Sequence, residues 1–155
     1  MYQVDDFDLK IMTQLQGNGR LTNQELGDLV GLSASQCSRR RIALEQAQLI
    51  LGSHARLAPD AVGVEVLGLI EVRLLNHTQE CAERFQQMIG EMDAIIDAYQ
   101  TTGDADYLLK VVVTDLPGLS QLISGILTRN GSVAHLKTSV VLNRLKENGR
   151  LLPCL

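Results

Sequence analysis

Three arginines stand in a row at positions 39–41, with Ser33, Ser35, Gln36 and Ser38 just before them. A guanidinium reads the O6/N7 edge of guanine with two hydrogen bonds, and hydroxyls bond phosphate oxygens, so this set fits a nucleic-acid groove. A solvated charge run accounts for Arg39, Arg40 and Arg41 equally well. A second cluster, TTGDAD at 101–106, joins a glycine to two carboxylates. A tight turn of this kind cradles an anion with its N–H groups, and acidic side chains beside it suit an ammonium. The same composition is common in plain hairpin turns. Catalysis finds little support: His54, His77 and His135 are scattered, and there is no HExxH, nucleophile elbow, phosphate-binding glycine loop or close Cys/His pair. Cys37, Cys81 and Cys154 lie 44 and 73 residues apart, which matches neither metal spacing nor an even disulfide set, and they read as free thiols.

The arginine cluster needs helices to present it. Val4, Phe7, Ile11, Met12 and Leu15 form an apolar stripe at helical period, with Asp5 or Asp6 at its start and Gly17 after its end. A second helix opens on a capping box of Thr22 and Glu25, buries Leu26, Leu29 and Val30, and stops at Gly31. Ser33 and Gln36 then make another capping box, opening SASQCSRRRIALEQ. Two capped helices joined by so short a turn predict a helix-turn-helix, although any αα-hairpin in a small bundle shares the spacing. At about 100° per residue, Cys37 and Leu44 face inward while Ser35, Arg39, Ile42 and Gln46 cluster on the opposite side. Whether Arg41 or Ile42 faces the core stays open.

The remaining two thirds alternates between periods. Leu49 to Gly63 is a connector, with a domain boundary that assigns residues 1–56 to one domain and 57–155 to the next. Strands are predicted at Val66–Leu74, Ile95–Thr102, Asp106–Val113 and Val133–Val141. Helices are predicted on the stripe Cys81, Phe85, Met88, Ile89, Met92 and on Leu119, Leu122, Ile123, Ile126, Leu127. The order βαββαβ is the ferredoxin-like, split βαβ arrangement, so the fold class is α+β. Both helices then cover one sheet face, and strands as apolar as VLGLIEVRL imply that the other face meets a second copy of the chain.

Composition agrees with a folded, soluble protein: 45% of the 155 residues are apolar and 21% charged. No apolar run reaches the ~18 residues of a membrane span and no signal sequence opens the chain, so a cytoplasmic location is expected, with no membrane partner. At a net charge of −4 the chain binds DNA only through local positive charge. That concentration exists between Gln36 and Arg56, with four arginines against one glutamate.

Several of these residues carry a family resemblance. Asp8-x-x-Ile11-Met12-x-x-Leu15, the run Val30 to Ser33 with Cys37, Leu44-Glu45 with Ile50, and Gly103-x-x-Asp106-Tyr107-Leu108 together resemble the Lrp/AsnC, or feast/famine, transcription regulators over nearly the whole chain. Arg41, at a position often apolar in that family, and Ile42, at one often charged, depart from the pattern. The resemblance implies a helix-turn-helix (winged-helix-like) domain followed by a RAM domain, and a role as transcriptional regulator rather than enzyme. It implies double-stranded DNA as partner, contacted by Thr22, Ser33, Ser35, Gln36, Ser38, Arg39 and Arg40. An amino-acid effector is implied at Gly103 and Asp106, with Thr101, Thr102, Asp104 and Tyr107 as neighbours. Assembly as a homodimer and then a tetramer or octamer is implied too, and neither a metal nor a cofactor. Two other readings remain: an amino-acid sensor acting on a protein partner, and an architectural DNA-wrapping protein.

Overall fold

The computed structural model describes residues 2–129, 131–147 and 149–151. It divides into two compact units, residues 1–56 with 146–155, and residues 57–145. Within the first of these units Gln16 exchanges two hydrogen bonds with the backbone of Leu151, at 2.8 and 2.7 Å.

The first unit holds α1 (Asp6–Gly17), α2 (Asn23–Val30) and α3 (Ala34–Gln46). Each starts on a side-chain cap that accepts a backbone N–H otherwise left without a partner. Asp5 with Asp8, Thr22 with Glu25 and Ser33 with Gln36 all form full capping boxes. Two glycines make the turn between α2 and α3 tight. Gly31 takes φ 79°, a left-handed conformation that costs L-residues with a side chain. At Gly27 an added Cβ would run into the Leu32 carbonyl oxygen. Ile11, Leu26, Val30, Cys37 and Leu44 form the core of this unit, with Met12, Leu15, Leu21, Leu32 and Ile50 packed on it. Three expected core residues lie elsewhere: Val4 precedes the helix, Phe7 is 37% exposed, and Leu29 is 56% exposed. In a unit this small a wide apolar stripe exceeds the partner surface available to cover it.

The second unit runs β1 (Val66–Leu74), α4 (Gln79–Gly90), β2 (Ile95–Gln100), β3 (Tyr107–Val113), α5 (Leu116–Arg129) and β4 (Val133–Val140), preceded by a 3₁₀ turn at Pro59–Val62. The strands pair antiparallel in the order β2-β3-β1-β4, which is the expected split βαβ topology. One sheet face, with Ile70, Val72, Leu74, Tyr107, Leu109 and Val111, packs on Phe85 and Met88 of α4 and Leu119 and Ile126 of α5.

The other face is mixed rather than uniformly apolar, as the strand composition had implied. Along a strand, alternate side chains go to opposite faces, so each strand divides its apolar residues between the two. Leu69, Leu108 and Tyr99 on this face are interleaved with the ion pairs Lys110–Asp97, at 3.8 Å, and Lys137–Glu71, at 3.4 Å. Among the described cysteines Cys37 and Cys81 are free thiols, and Cys154 lies outside the described residues. Burial pushes the Cys37 thiol up, whereas hydrogen bonding with Ser132, and then with Thr78, brings the Cys81 thiol down.

Candidate nucleic-acid interface and effector loop

The outward side of α3 presents Ser35, Ser38, Arg39, Ile42, Ala43 and Gln46 around one shallow groove. Arg39 is exposed and has no carboxylate partner among the described residues. A guanidinium held this way is available for bidentate contact with a base edge or a phosphate. Ile42, half exposed beside it, offers the apolar contact that a thymine methyl takes. The helical wheel puts Ile42 and Gln46 on this face, and the exposure of Ile42 beside the half-buried Arg41 decides which of that pair is turned outward.

The other candidates divide by what their side chains already hold. Thr22 and Ser33 act as caps: Thr22 Oγ1 accepts from Glu25 N at 3.2 Å and Ser33 Oγ from Gln36 N at 3.3 Å. Gln36 returns the contact, its Oε1 accepting from Ser33 N at 3.0 Å. These three shape the helix N-termini, whose partial positive charge favours phosphate. Arg40 differs from Arg39: its guanidinium turns inward to Asp8, at 2.7 Å, and to Asp5, at 2.8 Å. Arg41 is turned aside as well, pairing with Glu45 at 3.2 Å and donating to the Leu21 carbonyl at 3.4 Å. Of the three consecutive arginines only Arg39 points away from the unit.

The β2–β3 connection is closed by Thr101 N donating to Asp106 O at 2.9 Å and Thr101 Oγ1 to Ala105 O at 2.7 Å. Gly103 sits at its tip with φ 113°, and Thr101, Thr102, Gly103 and Asp104 are exposed. Asp106 faces inward. Its N–H donates to Val72 O at 2.9 Å and its Oδ2 accepts from Leu74 N at 2.7 Å, beside the irregularity at Arg73/Leu74. The carboxylate therefore stitches the loop to the end of β1, and its second oxygen lies 3.5 Å from His77 Nδ1. Tyr107, by contrast with the exposed loop residues, is buried against Phe85, ring centroids 4.7 Å apart, because its place on β3 puts it on the helix-covered face.

Among the described residues no group of three or more His, Cys, Asp and Glu comes together as a metal site, and no helix is long and apolar enough to cross a membrane.

Comparison with known proteins covers both units. Residues 4–45 match the AsnC-type helix-turn-helix domain and residues 67–151 the Lrp/AsnC ligand binding domain. The leucine-responsive regulatory protein of Escherichia coli K12 is 32% identical over 149 residues, spanning 96% of this chain and 91% of that protein. Its Haemophilus influenzae counterpart is also 32% identical, over 96% of this chain and 90% of its own. A transcriptional regulator from Neisseria meningitidis, solved in complex with L-Met, superposes with a TM-score of 0.87 at 32% identity, covering 94% of each chain. An AsnC family transcriptional regulator from Agrobacterium tumefaciens gives a TM-score of 0.89 at 28% identity, over 96% of each chain. With its reading helix carried on a capped helix-turn-helix and its sheet carried on a ligand-binding domain, this chain belongs to the Lrp/AsnC family of transcriptional regulators.

Proposed function

We propose that the regulator contacts double-stranded DNA with the outward face of α3, Ser35, Ser38 and Arg39 foremost with Ile42 and Gln46 beside them, while the cap residues Thr22, Ser33 and Gln36 orient helix N-termini toward phosphates. The observation that carries this reading is the isolation of Arg39: it alone of its arginine run is turned outward, within a groove that Ser35, Ser38, Ile42, Ala43 and Gln46 also line. The effector is an α-amino acid held at the exposed loop Thr101–Asp104. Backbone N–H groups near Gly103 meet its carboxylate, and Asp104 with the second oxygen of Asp106 meets its ammonium. L-Met bound to the Neisseria relative supports that ligand class.

The regulator is cytoplasmic and assembles as a homodimer through the open sheet face. Alternating apolar residues and ion pairs there suit a self-complementary, two-fold interface. Dimers join into tetramers or octamers, and an effector that binds two such arrangements unequally shifts their populations and the spacing of the reading helices. The test pairs two measurements on the full chain. Selection from a random-sequence duplex library should enrich a two-fold symmetric site. A thermal-shift screen against the twenty amino acids should raise the melting temperature for a small subset, since a ligand of the native state stabilises it by mass action. Equal binding to every duplex sequence, or no amino acid that shifts melting, overturns the corresponding half of this reading.

A further inference from the structure

The buried face of α3 is thin. Its fully buried residues are Cys37 and Leu44, a thiol and a leucine two turns apart. Two positions lie between them on the same face, Arg40 and Arg41; Arg41 reaches only the Leu21 carbonyl and its own neighbour Glu45, whereas Arg40 reaches a buried carboxylate. What meets Arg40 is Asp8 of α1, which is 1% exposed. Arg40 Nη1 lies 2.7 Å from Asp8 Oδ1 and 2.8 Å from Asp5 Oδ2. The remaining oxygen of Asp8 accepts from the Asp5 N–H and from the Tyr2 hydroxyl, both at 3.2 Å. The guanidinium also lies over the Phe7 ring, 5.6 Å from its centroid.

Apolar contact holds a helix against its neighbours without direction, so two small anchors leave rotation about the helix axis weakly determined. A charged hydrogen bond to a buried carboxylate has direction. We propose that Arg40 is a positioning residue for DNA reading: through Asp8 and Asp5 it sets the rotation of α3 about its axis, and so aims Arg39 without itself touching DNA. Arg39 lies two residues, about 200°, past the buried Cys37, so the rotation that keeps Arg40 on its carboxylates keeps Arg39 outward. The proposal rests on the contact reading of Arg39 given above. It assigns the buried pair a role in specificity, which a merely stabilising pair would lack.

The experiment compares wild type, Arg40→Met, Arg40→Lys and the paired replacement Asp8→Leu/Arg40→Met as full-length protein. Each is measured on the duplex enriched from the random library and on a random-sequence duplex of equal length, across a salt series, with melting temperature alongside. Arg40→Met should lower the ratio of specific to random binding at least tenfold and leave the salt slope on random DNA unchanged. Arg40→Lys, which keeps a charge for Asp8, should recover part of the ratio. The apolar pair should return the melting temperature close to wild type while the ratio stays low, which separates aiming from stability and covers the case in which Arg40→Met alone folds poorly.

A slope reduced by about 0.9 per lost phosphate contact would make Arg40 a DNA contact and overturn the proposal. A wild-type ratio in the apolar pair would overturn it as well. Arg39→Ala measured beside these variants tests the contact reading separately: if it changes neither duplex, the contact reading of Arg39 fails and the aiming role falls with it, whereas an Arg39→Ala loss of the ratio that Arg40→Met does not share overturns the aiming role alone.

Discussion

Arg39 and Arg40 are adjacent in sequence and opposite in use, and the difference comes from what stands across from each. Arg39→Ala removes an outward guanidinium, so specific binding should weaken by about 1–3 kcal/mol per half-site, with specificity relaxed at one base position. Operator titration with single-base variants checks this; equal weakening on all sequences would assign Arg39 to phosphate instead. Asp5 tests the other side of the pair. The Asp8 N–H that donates to it, and Arg40 beside it, hold its carboxyl below the ordinary carboxylate range. A depressed folded value stabilises the fold above the unfolded pKa of about 3.9, and that contribution is lost as pH falls through the folded value. Asp5→Asn keeps an N-cap acceptor and removes the charge. It should melt below wild type at neutral pH, with the gap closing as the pH drops below about 4; a gap that persists unchanged in acid excludes the ionic cause.

Elements were legible in the sequence where their determinants are local. Thr22 with Glu25 and Ser33 with Gln36 act across a single helical turn, so their capping boxes can be read from four residues and are present as expected. Strand β1 is likewise bounded as its composition indicates, because a β-branched run ending in polar residues needs no distant partner to be recognised. The burial of Asp8, the inward turn of Arg40 and the burial of Tyr107 depend on what α1, α3 and α4 bring near them, and no local pattern carries that. Gly27 belongs to the same class, since its importance lies in the approach of Leu32 rather than in its own φ. Gly27→Ala should force the helix-turn-helix turn open and cost about 1–3 kcal/mol, the usual range for overpacking, with DNA binding reduced in step. Thermal melts with duplex titration decide it: a wild-type melt would show that the turn absorbs the methyl. In the β2–β3 loop, Asp106→Ala leaves the Leu74 N–H without its acceptor and should cost about 1–3 kcal/mol. Hydrogen exchange at Leu74 is the direct measurement, and unchanged protection there would mean that the stitch adds nothing.

At the scale of the whole molecule, the sheet and its two helices form a unit bounded by residues 57 and 145. A fragment of those residues should fold alone and run as a dimer in light scattering, because Leu69, Leu108 and Tyr99 are left uncovered on its open face. A folded monomer at micromolar concentration would remove that interface. Residues 1–56 alone should be marginal, lacking the segment that Gln16 grips through Leu151. Chain order gives this division a consequence during synthesis. The three helices of the first unit leave the ribosome early, but Lys146, where the chain returns to that unit, follows Arg56 by 90 residues. At translation rates of about 5–20 residues per second, the interval is roughly 5–20 s. For that time the nascent DNA-reading unit lacks its final strap, and it becomes whole only after the ligand-binding unit has been made, so a chain cut short by stalled translation carries a reading unit without full stability.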